Sequence, residues 1–110
     1  MKRNVVSSSK FRKSVKRLKK RGTDLTPLDA IIDLLASRSL TADEIHEYRD
    51  HPLSGNHAGY RDIHIGGATS DWVLIYRIVG DSIELEDTTL ELSDTGTHSD
   101  LFGSDELIFV

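Results

Sequence analysis

Histidine is the side chain that can both accept and release a proton near neutral pH. This chain sets His51, His64 and His98 at strand ends or in adjoining loops, where an antiparallel meander can bring them to one edge. Two imidazoles and a cation suit metal-free RNA cleavage. One ring draws the proton from the ribose 2′-OH, the other protonates the leaving 5′-oxygen, and Arg61 is the candidate to stabilise the phosphorane charge. Asp71 can orient a histidine, and Trp72 or Phe102 can stack on a base. Plainer readings compete. Trp72 opens an apolar run and fits core packing, and Tyr60 serves as readily in packing as in a site. His46, His51, His57 and His64 could hold zinc, but their spacings match no common ligand pattern. His98-Ser99-Asp100 is no triad, since residues adjacent in sequence rarely converge.

These side chains need rigid elements behind them. Tyr60 to Ile65 reads as a strand, with Tyr60, Asp62 and His64 on one face and Arg61, Ile63 and Ile65 on the other. Pro52 biases His51 toward an extended conformation, and Ser54-Gly55-Asn56 is turn chemistry. After Gly66–Ser70 turns the chain, Trp72 to Val79 is apolar on both faces apart from Arg77 and predicts a central strand. Ile83–Glu86 and Thr88–Ser93 alternate, which predicts an elongated hairpin or one long, bent strand. Residues 96–103 close the fold, and 104–110 read as a further edge strand.

The first half is mainly helical. Asn4–Ser7 is a short strand candidate. Ser8 or Ser9 caps a helix to about Arg21, ended by Gly22, with Phe11, Val15 and Leu18 as its apolar stripe. Thr26 as cap and Pro27 at the first position start a second helix, which buries Leu28, Ile31, Ile32 and Leu35 and ends near Arg38. Thr41 and Glu44 have capping-box spacing, so a short helix runs to about Glu47. The order predicts an α+β domain over residues 1–110: a strand and two or three helices packed on one face of an antiparallel sheet, the other face free to carry a site.

The net charge of −4 hides an asymmetry. Residues 1–21 hold ten of the fourteen Lys and Arg and no acid, leaving four bases against eighteen acids in the remainder. The basic helix Lys10–Arg21 suits a polyanion or an acidic partner. No apolar run approaches the roughly 20 residues of a membrane span, and no apolar segment follows Lys2 and Arg3 as in a secretory signal. The chain lacks cysteine, which removes disulfides and thiolate ligands and fits a cytoplasmic protein.

Four ordered segments, Asp50-His51-Pro52-Leu53-Ser54-Gly55, Gly59-Tyr60-Arg61-Asp62-Ile63-His64, Asp71-Trp72-Val73-Leu74-Ile75-Tyr76 and Thr95-Gly96-Thr97-His98-Ser99-Asp100-Leu101-Phe102, resemble YafQ-type toxins of the RelE/ParE superfamily, components of bacterial type II toxin–antitoxin systems. The resemblance implies the RelE/ParE-like fold and a ribosome-dependent mRNA endonuclease that needs no cofactor and is held inactive by a cognate antitoxin. It places functional positions on His51, His64, Asp71, Trp72, His98 and Phe102. Arg61 matches the family's Tyr-Arg pair. Where the family usually has an arginine before Thr-Gly, this chain has Asp94. An acid facing the cleft opposes phosphate and predicts a slow nuclease; an acid pointing away leaves the site alone. The rival expectations are an inactive or weakened binder of antitoxin with the same fold, and a ParE-like gyrase inhibitor, which would have no use for the histidine set.

Overall fold

The computed structural model describes residues 1–102. Strand β1 (Asn4–Ser7) leads into helix α1 (Ser9–Lys20). Ser8 is the cap; its hydroxyl accepts the Phe11 N–H at 2.9 Å, one of the donors that a helix start leaves without a partner. Gly22 follows the helix with φ of 82°, the left-handed conformation that glycine adopts without steric cost. Helix α2 (Thr26–Ser37) begins differently from expectation. Thr26 is its first residue, and the Asp24 carboxylate accepts the Thr26 N–H at 3.0 Å. A capping hydroxyl serves amides two or three residues ahead, so the amide of Thr26 needs an acceptor upstream of itself. Helix α3 (Ala42–Glu47) has the complete capping box between Thr41 and Glu44, and Arg38 grips the Glu44 carboxylate with two bonds of 2.7 and 2.8 Å. None of these helices is long and apolar enough to cross a membrane.

Strands β2 (His51–Pro52), β3 (Arg61–His64), β4 (Trp72–Val79) and β5 (Thr89–Thr97) form an antiparallel meander, joined at the β5 edge by β1 in the order β1-β5-β4-β3-β2. The β1–β5 pair is parallel, Asn4 opposite Thr89 and Ser7 opposite Leu92, which among the described residues is the one departure from an all-antiparallel sheet. The alternation at Ile83–Glu86 makes no strand. Ile83 is exposed and Leu85–Asp87 is a 3₁₀ turn; alternation fixes a strand only where a layer covers one face. Strand β5 is instead the long, bent strand, carrying a bulge opposite Ile75 and Tyr76. It continues into helix α4 (His98–Phe102). The edge strand expected at 104–110 lies outside the described residues.

The apolar stripes of α1 and α2 meet one sheet face. Phe11, Leu28, Ile31 and Leu35 pack with Ile63, Ile65, Leu74, Tyr76, Leu90 and Leu92. Strand alternation sends the neighbours of these sheet residues to the open face, where Asp62 lies opposite Ile75 and His64 opposite Val73.

Candidate functional site

The open face carries a carboxylate ringed by imidazoles. Asp62 Oδ1 lies 3.6 Å from His51 Nδ1 and 3.6 Å from His64 Nε2, while Oδ2 lies 3.3 Å from His98 Nε2. Three elements contribute: β2 supplies His51, β3 supplies Asp62 and His64, and the first residue of α4 supplies His98. The His64 and His98 rings meet edge to face at 5.1 Å, and those of His51 and His64 lie 6.4 Å apart.

Burial separates the three histidines. The side chains of Asp62 and His64 are 2% and 3% exposed, whereas those of His98 and His51 are 24% and 33% exposed. His51 and His98 can therefore touch a bound molecule, and His64 stands behind them. Backbone carbonyls fix two of the rings. His64 Nδ1 is 2.7 Å from the Ser70 carbonyl, and His51 Nδ1 is 2.8 Å from that of Arg49. A carbonyl only accepts, so both Nδ1 atoms carry the proton. The Nε2 of a neutral His51 ring then bears the lone pair. The Nε2 of His64 and Oδ1 of Asp62 are buried without a hydrogen-bond partner, an arrangement that calls for a proton or a cation between them. One ligand atom each from Asp62, His64 and His98 lies within 4.8 Å of the others, so these three could hold a metal ion.

The other predicted positions scatter. Phe102 reaches the rim, its ring 5.7 Å from His98 and 5.2 Å from His57. Asp71 is exposed and meets the cluster through its backbone: its carbonyl accepts the His98 N–H at 3.3 Å. Trp72 packs against the helix-side core and donates its indole N–H to Thr95 Oγ1 at 2.9 Å, away from the open face. Tyr60 lies under the Arg77 guanidinium, 4.8 Å from ring centre to carbon. Arg61 turns to the helix side, where its Nε donates to Asp50 Oδ1 at 2.6 Å. Asp94 is buried against α1, accepting the Ser14 hydroxyl at 2.5 Å, with Lys10 Nζ 3.7 Å away.

The residue that sequence reasoning passed over is Asp62. Its signal was the strand alternation that puts it on the face of His64, whereas Asp71, which adjoins the apolar strand in sequence, reaches the cluster through its backbone carbonyl.

Residues 3–103 match the family described as bacterial toxin of type II toxin–antitoxin system, YafQ. The mRNA interferase toxin YafQ of Escherichia coli K12 is 38% identical over 101 residues, covering 92% of this chain and 97% of the relative. The crystal structure of YafQ from E. coli BL21(DE3) superposes with a TM-score of 0.73 at 36% identity, covering 92% of this chain and 99% of that one. In the E. coli DinJ–YafQ toxin–antitoxin complex the matched chain gives 0.70 at 36% identity, with 94% and 100% coverage. A metal-bound toxin from Helicobacter pylori gives 0.69 at 35% identity, with 90% and 98% coverage. An open sheet face bearing clustered histidines, a family match over residues 3–103 and relatives covered almost end to end agree: the chain belongs to the YafQ family of type II toxin–antitoxin toxins.

Proposed function

We propose that this chain is the toxin of a type II toxin–antitoxin pair and that it cleaves messenger RNA by proton transfer through His51 and His98, with Asp62 and His64 behind them. One observation carries the reading: a single buried carboxylate lies 3.3 to 3.6 Å from three imidazoles, of which two reach the surface. Nε2 of His51 takes the proton of the ribose 2′-OH as that oxygen attacks phosphorus. His98 gives a proton to the departing 5′-oxygen, leaving a 2′,3′-cyclic phosphate and a 5′-hydroxyl. Asp62 balances the positive charge that an imidazolium brings and aims the His98 ring. Phe102, at the rim, offers a face for a base. The ribosome presents the message, the setting is the cytoplasm, and the cognate antitoxin docks on the basic helix α1.

A second reading uses the same residues. A divalent cation held by Asp62, His64 and His98 would satisfy the buried pair Asp62 Oδ1 and His64 Nε2, and the H. pylori relative is described as metal-bound. Chelation separates the two. Cleavage of messages on programmed ribosomes, with ribosome integrity controlled separately, survives EDTA under the proton-transfer reading. Activity that vanishes with EDTA and returns with zinc alone would overturn it.

A further inference from the structure

On the helix side of β3, directly behind the site, three polar side chains meet at the edge of the core. The Asp50 side chain is 1% exposed and accepts both the Arg61 Nε–H, at 2.6 Å, and the Tyr76 hydroxyl. Tyr76 itself belongs to the apolar cluster. The Arg61 side chain is 39% exposed, and a part-exposed ion pair adds little to stability, so stability alone does not account for it. Its location does. Asp50 precedes His51 and Arg61 precedes Asp62, and strand alternation sends such neighbours to opposite faces. The cluster is thus joined through the backbone to both members of the His51–Asp62 pair.

Strand β2 is short, and it is flanked by backbone bonds from the Leu53 N–H to the Tyr60 carbonyl at 2.9 Å and from the His64 N–H to the Tyr48 carbonyl at 2.8 Å. It is two residues long, His51 opposite Asp62 and Pro52 opposite Arg61, and proline has no N–H to donate. Just before it, Arg49 has φ of 51°, the single non-glycine residue with positive φ among those described. Its carbonyl is the acceptor for His51 Nδ1. A side-chain-bearing residue stays in that region only where its surroundings over-determine it.

We propose that Asp50, Arg61 and Tyr76 form a positioning device, which pins β2 to β3 and β4 from behind and so holds the Arg49 turn and sets the His51 ring against Asp62. On this inference Arg61 acts on the reaction through Asp50 and His51 and makes no contact with phosphate. It rests on the role proposed above for His51.

The test uses the full-length toxin and single-turnover cleavage on programmed ribosomes. Tyr76→Phe and Arg61→Lys are each made alone and in the His51→Ala background, with thermal unfolding as the check on folding. Displacement of a reacting group is costly in rate, so each single variant slows the saturated rate by about tenfold or more, while apparent affinity for the programmed ribosome stays near that of the parent. In the His51→Ala background the same substitutions change the rate little, the non-additivity expected of coupled residues. In the isolated toxin, the ¹⁵N imidazole signals of His51 shift in both variants and those of His98 stay in place. Equal rate losses in both backgrounds overturn the inference, as does an Arg61→Lys effect that appears in affinity alone. If His51→Ala cleaves like the parent, the acid–base reading has failed. The His51 ring signals then decide the positioning separately, and unmoved signals in folded Tyr76→Phe and Arg61→Lys refute it.

Discussion

The resemblance alone leads one to expect that arginine in place of Asp94 speeds cleavage. The structure leads to the opposite outcome. Asp94 Oδ1 accepts the Ser14 hydroxyl at 2.5 Å and the Thr95 N–H at 2.8 Å, its side chain is 7% exposed, and Lys10 Nζ lies 3.7 Å from Oδ2. Arg17 also reaches Ser14, at 3.3 Å. Arginine here removes the acceptor for two donors, each costing about 1–3 kcal/mol if left unpaired and buried. It also sets a cation beside Lys10 and Arg17, where like charges about 4 Å apart repel by roughly 4 kcal/mol at an effective dielectric near 20. Lys10 is largely exposed and can swing away, which discounts that contribution. A net loss of about 3–5 kcal/mol follows, the range for breaking a buried charged contact. Against a total stability of about 5–15 kcal/mol for a small domain this approaches unfolding. With urea sensitivities of about 1–3 kcal/mol per molar, the unfolding midpoint falls by more than about 1 M. Asp94→Asn, which keeps an acceptor, loses less. Adding Lys10→Glu to Asp94→Arg recovers part of the midpoint. The assay pairs urea unfolding followed by circular dichroism with single-turnover cleavage per folded molecule. An Asp94→Arg toxin with the parent midpoint and a tenfold faster rate would refute the placement of Asp94 against α1.

Three further outcomes are expected. His51→Ala and His98→Ala each lower the cleavage rate by roughly 10²–10⁴, the usual loss for a general acid or base, and relieve growth arrest, whereas His57→Ala, which removes only a ring against Phe102, changes the rate little. Burial, and then the Asp50 carboxylate beside it, pushes the Tyr76 phenol above the ordinary tyrosine range. Its contribution to stability is therefore complete below about pH 10 and is lost as pH rises further, so unfolding midpoints measured across alkaline pH fall less steeply for Tyr76→Phe than for the parent. Lys13, Lys16 and Lys20, all on α1, changed together to Glu, weaken antitoxin binding more than Arg77→Glu does, and association of the parent slows as salt is raised; equal affinity for the triple variant and the parent removes α1 from that interface.

Local rules carried the helices. The Ser8 cap, the Thr41–Glu44 box and the Gly22 stop are interactions within a few residues, so they can be read from sequence directly. Strands β3 and β4 were equally legible, because burial on one or both faces writes itself into the alternation. Apart from the start of α2, where Asp24 two residues upstream serves the Thr26 amide, the features that were hard to read depend on a distant partner. Ile83–Glu86 alternates, but no layer covers it. Arg61 reads as a phosphate ligand from its motif, and its bond to Asp50, eleven residues away, does not show in the sequence. Trp72 reads from its neighbours as core or as base platform, and its bond to Thr95 on another strand does not show in the sequence. Asp94 was ambiguous for the same reason, since Ser14 is on another element. The histidines themselves were found because their motifs follow one another in a recognisable order. The carboxylate that joins them was visible only as the neighbour of His64 on one strand face.

The parallel pairing of β1 with β5 bears on when toxicity can arise during synthesis. Asn4 must wait for Thr89 before its strand has a partner. His98 follows β5 without a break. A nascent chain halted anywhere before that point has neither a closed sheet nor its third imidazole, so the histidine cluster cannot assemble in it. Contacts that span the whole chain also delay folding relative to local ones. That delay leaves an interval between synthesis of the chain and assembly of its histidine cluster.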